Sequence, residues 1–173
     1  TGCSGWLGSN ILKNLLKDEI KDFDQFIFCS NKNDNLNNQE IIKKTINNKN
    51  KKCFFIFQDL RENNFSQQLN QLIDKDCILY VIYTSSIIHP KNVNEFFDIN
   101  FLALKNFTDL ISKFDIKRFV YISSNSPFGF NKNLTRFNEK SKYNPVGNYG
   151  LSKKLAEEFL LSNLNHRILV ILR

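Results

Sequence analysis

Short, nearly continuous apolar runs at residues 25–29, 53–57, 77–83, 118–123 and 167–172 alternate along this chain with segments of helical period. That alternation restricts the fold more than any other feature. Runs of this length read as strands buried on both faces, and strands of that kind belong to parallel sheets covered by helices. Between them, apolar residues recur three and four apart: Ile11, Leu12, Leu15, Leu16 and Ile20 in segment 9–20, with further helices expected over 39–46, 65–73 and 93–114 and from 148 onward. The polar stretch 31–38 reads as a surface turn, and no internal repeat or interdomain linker is visible. The expected architecture is α/β: a doubly wound, mostly parallel sheet with helices on both faces, built as one domain over residues 1–173. Phe alone contributes 17 of 173 residues, so there is ample material for its core.

The chain opens on Thr1-Gly2-Cys3-Ser4-Gly5-Trp6-Leu7-Gly8. Glycines at 2, 5 and 8 allow a tight turn, close approach of a ligand and close packing of the next helix, whose first amides then face an anion. Three glycines can also serve an ordinary turn. Placed before a helix in an alternating chain, they point to a pyrophosphate-binding loop in a Rossmann-like sheet. Such a loop follows a buried strand, which here would end at about Thr1. The chain is therefore expected to be a fragment whose sheet is incomplete, lacking its central first strand. Unpaired backbone groups beside that gap would be costly, so the isolated stretch is expected to be marginal or insoluble.

The formal charge of +7 raises nucleic acid as a partner. The lysines, however, are scattered among asparagines and line no single stripe, so no nucleic acid is expected. No apolar run approaches the roughly 20 residues that cross a bilayer, so no membrane partner is expected either. The absence of a charged-then-apolar leader favours the cytoplasm. Cys3, Cys29, Cys53 and Cys77 stand far apart and His89 and His166 are isolated, so neither a metal site nor a redox pair is indicated.

Two further features could carry chemistry. In Tyr149-Gly150-Leu151-Ser152-Lys153, phenol and ammonium stand four apart and share one helix face. Two surface residues of an amphipathic helix would look the same. Ser123 and Ser124 close a predicted strand at the end where such sheets bind ligands, although a strand-end serine can equally cap a turn. Their order carries more information. A glycine loop, Asn100 in a long helix, strand-end serines, then Tyr and Lys on the next helix resemble the extended short-chain dehydrogenase/reductase family, also called the NAD-dependent epimerase/dehydratase family. The resemblance covers Thr1 to Gly8, Asp59-Leu60 after a strand, Asn100, the run from Arg118 to Ser124 with Gly129, and Tyr149 to Lys153 followed by Ala156-Glu157.

The resemblance implies an NAD(P)-dependent oxidoreductase or epimerase acting on a secondary alcohol or ketone of a small molecule. Gly2, Gly5, Trp6, Leu7 and Gly8 would line the pyrophosphate, and Asp59 and Leu60 would flank the adenine. Tyr149 would exchange a proton with the substrate, helped by the charge of Lys153, because a free phenol is a poor base near neutrality. Lys153 would also hold the ribose, Ser124 would hydrogen-bond the reacting oxygen, and Asn100 would support the site through a water or backbone contact. Small residues Thr84, Ser85 and Ser86 would pass beside the cofactor. A smaller substrate-binding lobe would follow the sheet domain and be mostly absent here, and full-length relatives often form homodimers. A non-catalytic NAD(P) sensor is the alternative of a different class; it could dispense with Tyr149, Lys153 and Ser124.

Departures from the family pattern refine this. An acidic residue would hydrogen-bond the adenosine ribose of NAD, whereas Ser30 stands there with Asn31 and Lys32 beside it, which leans toward NADP. Asn125 and Ser126 stand where sugar-nucleotide dehydratases carry an Asp-Glu pair, which points away from dehydration. Phe128 replaces a tyrosine common in sugar-nucleotide epimerases, and the Ser-Asn-Ser-Pro-Phe-Gly run looks closer to sterol-like alcohol dehydrogenases.

Overall fold

The computed structural model describes residues 1–16, 22–31, 52–130 and 136–173. They form two compact units, Thr1–Cys77 and Ile78–Arg173, each built around its own parallel sheet. The α/β reading with parallel strands holds, as a partial Rossmann-like fold whose strands pair in a two-stranded and a three-stranded sheet. The helix expected over 39–46 and the end of segment 9–20 lie outside the described residues.

In the first unit, α1 (Trp6–Leu15) leads to β1 (Gln25–Ser30), which pairs in parallel with β2 (Lys52–Phe57) from Gln25↔Lys52 to Ser30↔Phe57. Helix α2 (Asn63–Leu72) follows and packs on β2 with Phe65 and Leu69 buried. Alternation along β1 sends Phe26 and Phe28 to one face, where they join Cys3, Leu12 and Leu16 in a buried cluster. The Phe28 and Phe55 rings stack across the strands at 5.4 Å, and Phe55 stacks on Phe57 at 5.3 Å. Burial of Phe26 and of Phe28 stabilises the fold by roughly 1.5–3 kcal/mol each. Helix α1 begins at Trp6 rather than Ser9, because the extended Gly5 serves as its N-cap and nothing in the next residues breaks a helix.

The second unit orders β3 (Ile78–Tyr83), β4 (Asp115–Ile122) and β5 (Leu169–Leu172) side by side, all parallel. Strand β4 starts at Asp115, ahead of the apolar run at 118. A register shift between Leu79 and Tyr80 lets the charged stretch around Lys117 continue the ladder, which hydropathy alone does not reveal. Helix α3 spans 94–111 and corrects the uniform helix expected over 93–114. It opens as an α-turn at Asn94–Phe97, widens to a π-turn at Asp98–Leu102 and resumes as α-helix at Ala103–Ile111.

Helix α4 (Asn148–Asn163) has an unusual inner face. Its buried residues are Gly150, Ser152, Lys153, Ala156, Glu157 and Leu160, so three polar groups lie where an amphipathic helix would place hydrocarbon. Before it, a 3-10 turn at Ser126–Phe128 ends at Gly129, whose φ of +71° would strain any other residue. A Cβ on Gly150 would lie 2.6 Å from the Ser126 carbonyl oxygen, so glycine there lets α4 touch the backbone of that turn. No helix among the described residues is long and apolar enough to cross a membrane.

A Cβ on Gly8 would stand 2.0 Å from the Gly2 carbonyl oxygen, a backbone contact that cannot yield. Gly8→Ala in the full-length protein is therefore expected to cost about 1–3 kcal/mol in urea denaturation. Gly147→Ala, whose Cβ meets nothing within 4 Å, is the control with a much smaller effect.

Candidate functional site

The glycine loop sits at the C-terminal end of the β1–β2 sheet. The Cys3 amide donates to the Cys29 carbonyl at 3.1 Å, the Gly5 amide to Gly2 at 3.2 Å and the Ser9 amide to Gly5 at 2.8 Å. Gly2 takes φ +69°, the left-handed conformation the turn requires. Gly5 is different. Its φ of −69° is open to any residue, and a Cβ would meet only the Gly2 carbonyl oxygen at 3.5 Å, an ordinary contact. Packing among the described residues thus gives no reason for glycine at 5, which leaves room for a ligand at the start of α1. Beside it Trp6 is 83% exposed and Leu7 is partly so.

At the same sheet end the buried Ser30 donates its hydroxyl to Ser4 Oγ at 2.7 Å, tying β1 to the loop. Asn31 donates to Asp59 Oδ2 at 3.3 Å, and Arg61 grips that carboxylate through Nε at 2.8 Å and Nη2 at 2.6 Å. The Arg61 hydrogen bonds hold the Asp59 carboxyl below its usual range against the opposing effect of partial burial. Leu60 lies half-buried in the turn that follows. Ser30, Asp59, Leu60 and the glycine loop are thus gathered at one edge, while Lys32 lies outside the described residues.

In the second unit, the π-turn presents Asn100, only 1% exposed, to the segment after β3. Its Oδ1 accepts from the Ile87 amide at 2.7 Å and the Ser86 hydroxyl at 3.1 Å. Its Nδ2 donates to the Ile87 carbonyl and to Ser152 Oγ, both at 3.1 Å. One amide therefore satisfies both backbone groups of Ile87 and couples that segment, which includes the half-buried Ser85, to α4. Ser152 in turn donates to the Tyr149 carbonyl at 2.8 Å.

Lys153 is buried on the same helix, its Nζ donating to the Ile122 carbonyl at 3.0 Å and lying 4.7 Å from the centre of the Tyr121 ring. Burial pulls its ammonium down to about 8, with the negative charge of Glu157 opposing the fall. Tyr149 is half-buried against Phe96, with ring centres 6.0 Å apart. Among the described residues no hydrogen bond joins the Tyr149 hydroxyl to Lys153 or Ser124. Ser124 shares a 3.0 Å hydroxyl contact with Ser126 and accepts the Ser126 amide at 3.2 Å, so it caps the 3-10 turn at the end of β4.

Sequence reasoning did not assign roles to Glu157, Tyr143 and Arg173, a cluster built around the buried Glu157 one helical turn after Lys153. Tyr143 donates to Glu157 at 2.6 Å, Arg173 pairs with it at 2.6 Å, and Ser123 donates a short hydrogen bond to it. Burial, followed by the hydrogen bond to Glu157, pushes the Tyr143 phenol up to about 12. Burial alone would lower Arg173, but its bond to Glu157 and the charge there raise it. The signal was present as spacing: Glu157 follows Lys153 by four residues and Tyr149 by eight, on one helix face. Among the described residues no group of three or more His, Cys, Asp or Glu could hold a metal ion.

The family described as NAD dependent epimerase/dehydratase matches residues 1–167. The chain belongs to this family. A protein of Methanocaldococcus jannaschii described as "Putative UDP-glucose 4-epimerase" is 30% identical over 164 residues, covering 92% of this chain and 48% of that protein. The dTDP-D-glucose 4,6-dehydratase of Dictyostelium discoideum is 27% identical over 180 residues, covering 94% of this chain and 39% of its own. Among solved structures, the UDP-glucuronic acid 4-epimerase of Bacillus cereus, in complex with UDP-glucuronic acid and NAD, superposes with a TM-score of 0.75. It is 20% identical, over 99% of this chain and 54% of that one, which is a likeness of fold. This family member spans about half the length of these relatives, or less.

Asn100→Asp keeps the acceptor that serves Ile87 and Ser86 but loses the donor to the Ile87 carbonyl and Ser152. It is expected to cost about 2 kcal/mol in chemical denaturation at neutral pH, since buried polar groups are left without partners.

Proposed function

We propose that residues 1–173 serve as the dinucleotide-binding domain of an NAD(P)-dependent oxidoreductase or epimerase. Its reaction is hydride transfer at a secondary alcohol or ketone, with Tyr149 as acid/base. The observation that carries this reading is Lys153. Fully buried lysines are rare and costly, and an ammonium held under α4 beside a tyrosine-bearing turn has a reason to be there if its charge is used. The relatives named for UDP-glucose and dTDP-glucose chemistry favour a sugar nucleotide over a sterol-like alcohol as substrate.

The chain's residues fit a dinucleotide at the loop, where Gly5 is required by neither its own backbone nor its neighbours. Gly2, Gly5, Trp6, Leu7 and Gly8 would hold the pyrophosphate against the first turn of α1, where helix amides favour an anion. Asp59 and Leu60 would border the adenine, with Ser30 and Lys32 near its ribose. Ser85, Tyr149 and Lys153 would meet the nicotinamide half. When bound, the dinucleotide would supply the hydride acceptor and donor.

Tyr149, as the phenolate, takes the proton from the substrate hydroxyl and, as the phenol, returns it to the same oxygen, and Lys153 supplies the positive charge a phenol needs for this near neutrality. Ser124 turns its hydroxyl to the reacting oxygen. Asn100 keeps the first turn of α4 in place by binding Ser152 and Ile87 together. Asn125 and Ser126 offer no carboxylate for eliminating water, so epimerisation or oxidoreduction is preferred over dehydration. Neutral Ser30, with Lys32 two residues further along the sequence, favours NADP over NAD.

In the full-length protein, Tyr149→Phe is expected to retain dinucleotide affinity while turnover of a UDP-hexose falls by about 10²–10⁴-fold, as measured by a coupled spectrophotometric assay. Unimpaired turnover would remove the phenol from the chemistry. Titration calorimetry is expected to give a lower Kd for NADP than for NAD; the reverse order would discard the roles given to Ser30 and Lys32.

A further inference from the structure

The inner face of α4 holds one acidic side chain that the proton transfer above does not use. Glu157 is wholly buried, and its carboxylate is satisfied from three other stretches of chain. Ser123, at the end of β4, donates to Oε1. Tyr143, in the segment before α4, donates to Oε2 at 2.6 Å. Arg173, directly after β5, donates from Nη2 to Oε2 at 2.6 Å and from Nε to both oxygens at 3.1 and 3.3 Å. The Arg173 guanidinium also lies over the Phe128 ring at 5.1 Å, so the same cluster reaches the 3-10 turn. A carboxylate bound this fully is fixed in place, and removing its charge would leave several donors without their acceptor.

Two consequences meet at the site. Ser123 is the neighbour of Ser124, so the bond to Glu157 anchors the strand end that presents the Ser124 hydroxyl. Lys153 stands one helical turn before Glu157, in surroundings that otherwise favour a neutral amine. The titratable groups about it are Tyr121 on β4, Tyr83 against Tyr121 on β3, and Tyr149 and Glu157 on α4; the buried polar residues of α3, Asn100 and Thr108, are neutral. Burial pushes the Tyr121 phenol up, so it brings no negative charge. Arg173 offsets part of the field of Glu157 but is itself spent on that carboxylate.

We infer that Glu157 is a positioning residue of this site, anchoring Ser124 through Ser123 and sustaining the charge of Lys153. The inference rests on the reading of Tyr149 and Lys153 as the proton-transfer pair. Its test compares full-length wild type with Glu157→Gln, which keeps shape and loses charge, and Glu157→Asp, which keeps charge and shortens the reach. Carbon-13 NMR of labelled lysine, with Lys153→Arg to assign the signal, follows the ammonium directly and needs no turnover. In the wild type Lys153 is expected to be charged below about pH 8 and to lose its proton as pH rises through that value.

Glu157→Gln is expected to move this titration down by about one pH unit, and the alkaline limb of kcat with it, while Glu157→Asp titrates close to wild type. An unmoved Lys153 titration in folded Glu157→Gln overturns the electrostatic part. Should that variant fail to fold, a Glu157→Asp titration shifted as far as removal of the charge would require overturns it instead. Ser123→Ala deletes one contact only and is expected to lower kcat several-fold with KM for the dinucleotide unchanged; an unchanged kcat overturns the anchoring part. A wild type that titrates as described but turns over no UDP-hexose with either dinucleotide counts against the parent reading and leaves the charge coupling standing.

Discussion

The ammonium of Lys153, buried under α4 with the Ile122 carbonyl as its acceptor, is the constraint around which the second unit is arranged. A charge in that position is tolerable only if its surroundings are polar and fixed. The Tyr121 ring lies beneath it, a backbone carbonyl accepts its hydrogen bond, and the carboxylate of Glu157 follows one turn later. That carboxylate needs its own partners, which draws in Ser123, Tyr143 and Arg173 and ties the ends of β4 and β5 to the segment before α4. A single buried cation thus accounts for a polar inner face on a helix that would otherwise pack with hydrocarbon alone.

Close backbone contact does the equivalent work elsewhere. Gly150 brings the first turn of α4 against the Ser126 carbonyl, and Gly8 brings α1 against Gly2, in each case closer than a side chain would permit. Asn100 completes the set by accepting and donating at the same residue, Ile87, while also holding Ser152. The π-turn places an amide where a regular helix would have left this segment's backbone groups to find other partners. Such turns often mark functional positions, because a locally widened helix is retained only when something depends on it.

Much of this was legible beforehand. The alternation of apolar runs and helical segments reported a parallel α/β fold because burial on both faces leaves no polar stripe in a strand. Gly2, Gly5 and Gly8 marked the loop, and the four-residue interval from Tyr149 to Lys153 marked one helix face. The early start of β4 was not legible, because Asp115 and Lys117 interrupt the hydropathy signal while the ladder runs on through a register shift. The π-turn was invisible for a related reason: one extra residue in a turn leaves apolar spacing nearly intact. Glu157 stood in the resemblance with no role attached, because its partners Ser123, Tyr143 and Arg173 come from other stretches of chain.

By itself, the sequence determined the fold class, the loop that opens the chain, the family and the helix face that Tyr149 and Lys153 share, since these depend on periodicity, glycine placement and spacing within single elements. Only the tertiary structure decided that Lys153 is buried, that Asn100 binds Ile87 and Ser152, and that Arg173 neutralises Glu157. Those contacts join residues 13 to 52 positions apart, and their burial and distance are set by how elements pack, a quantity no local pattern of residues records.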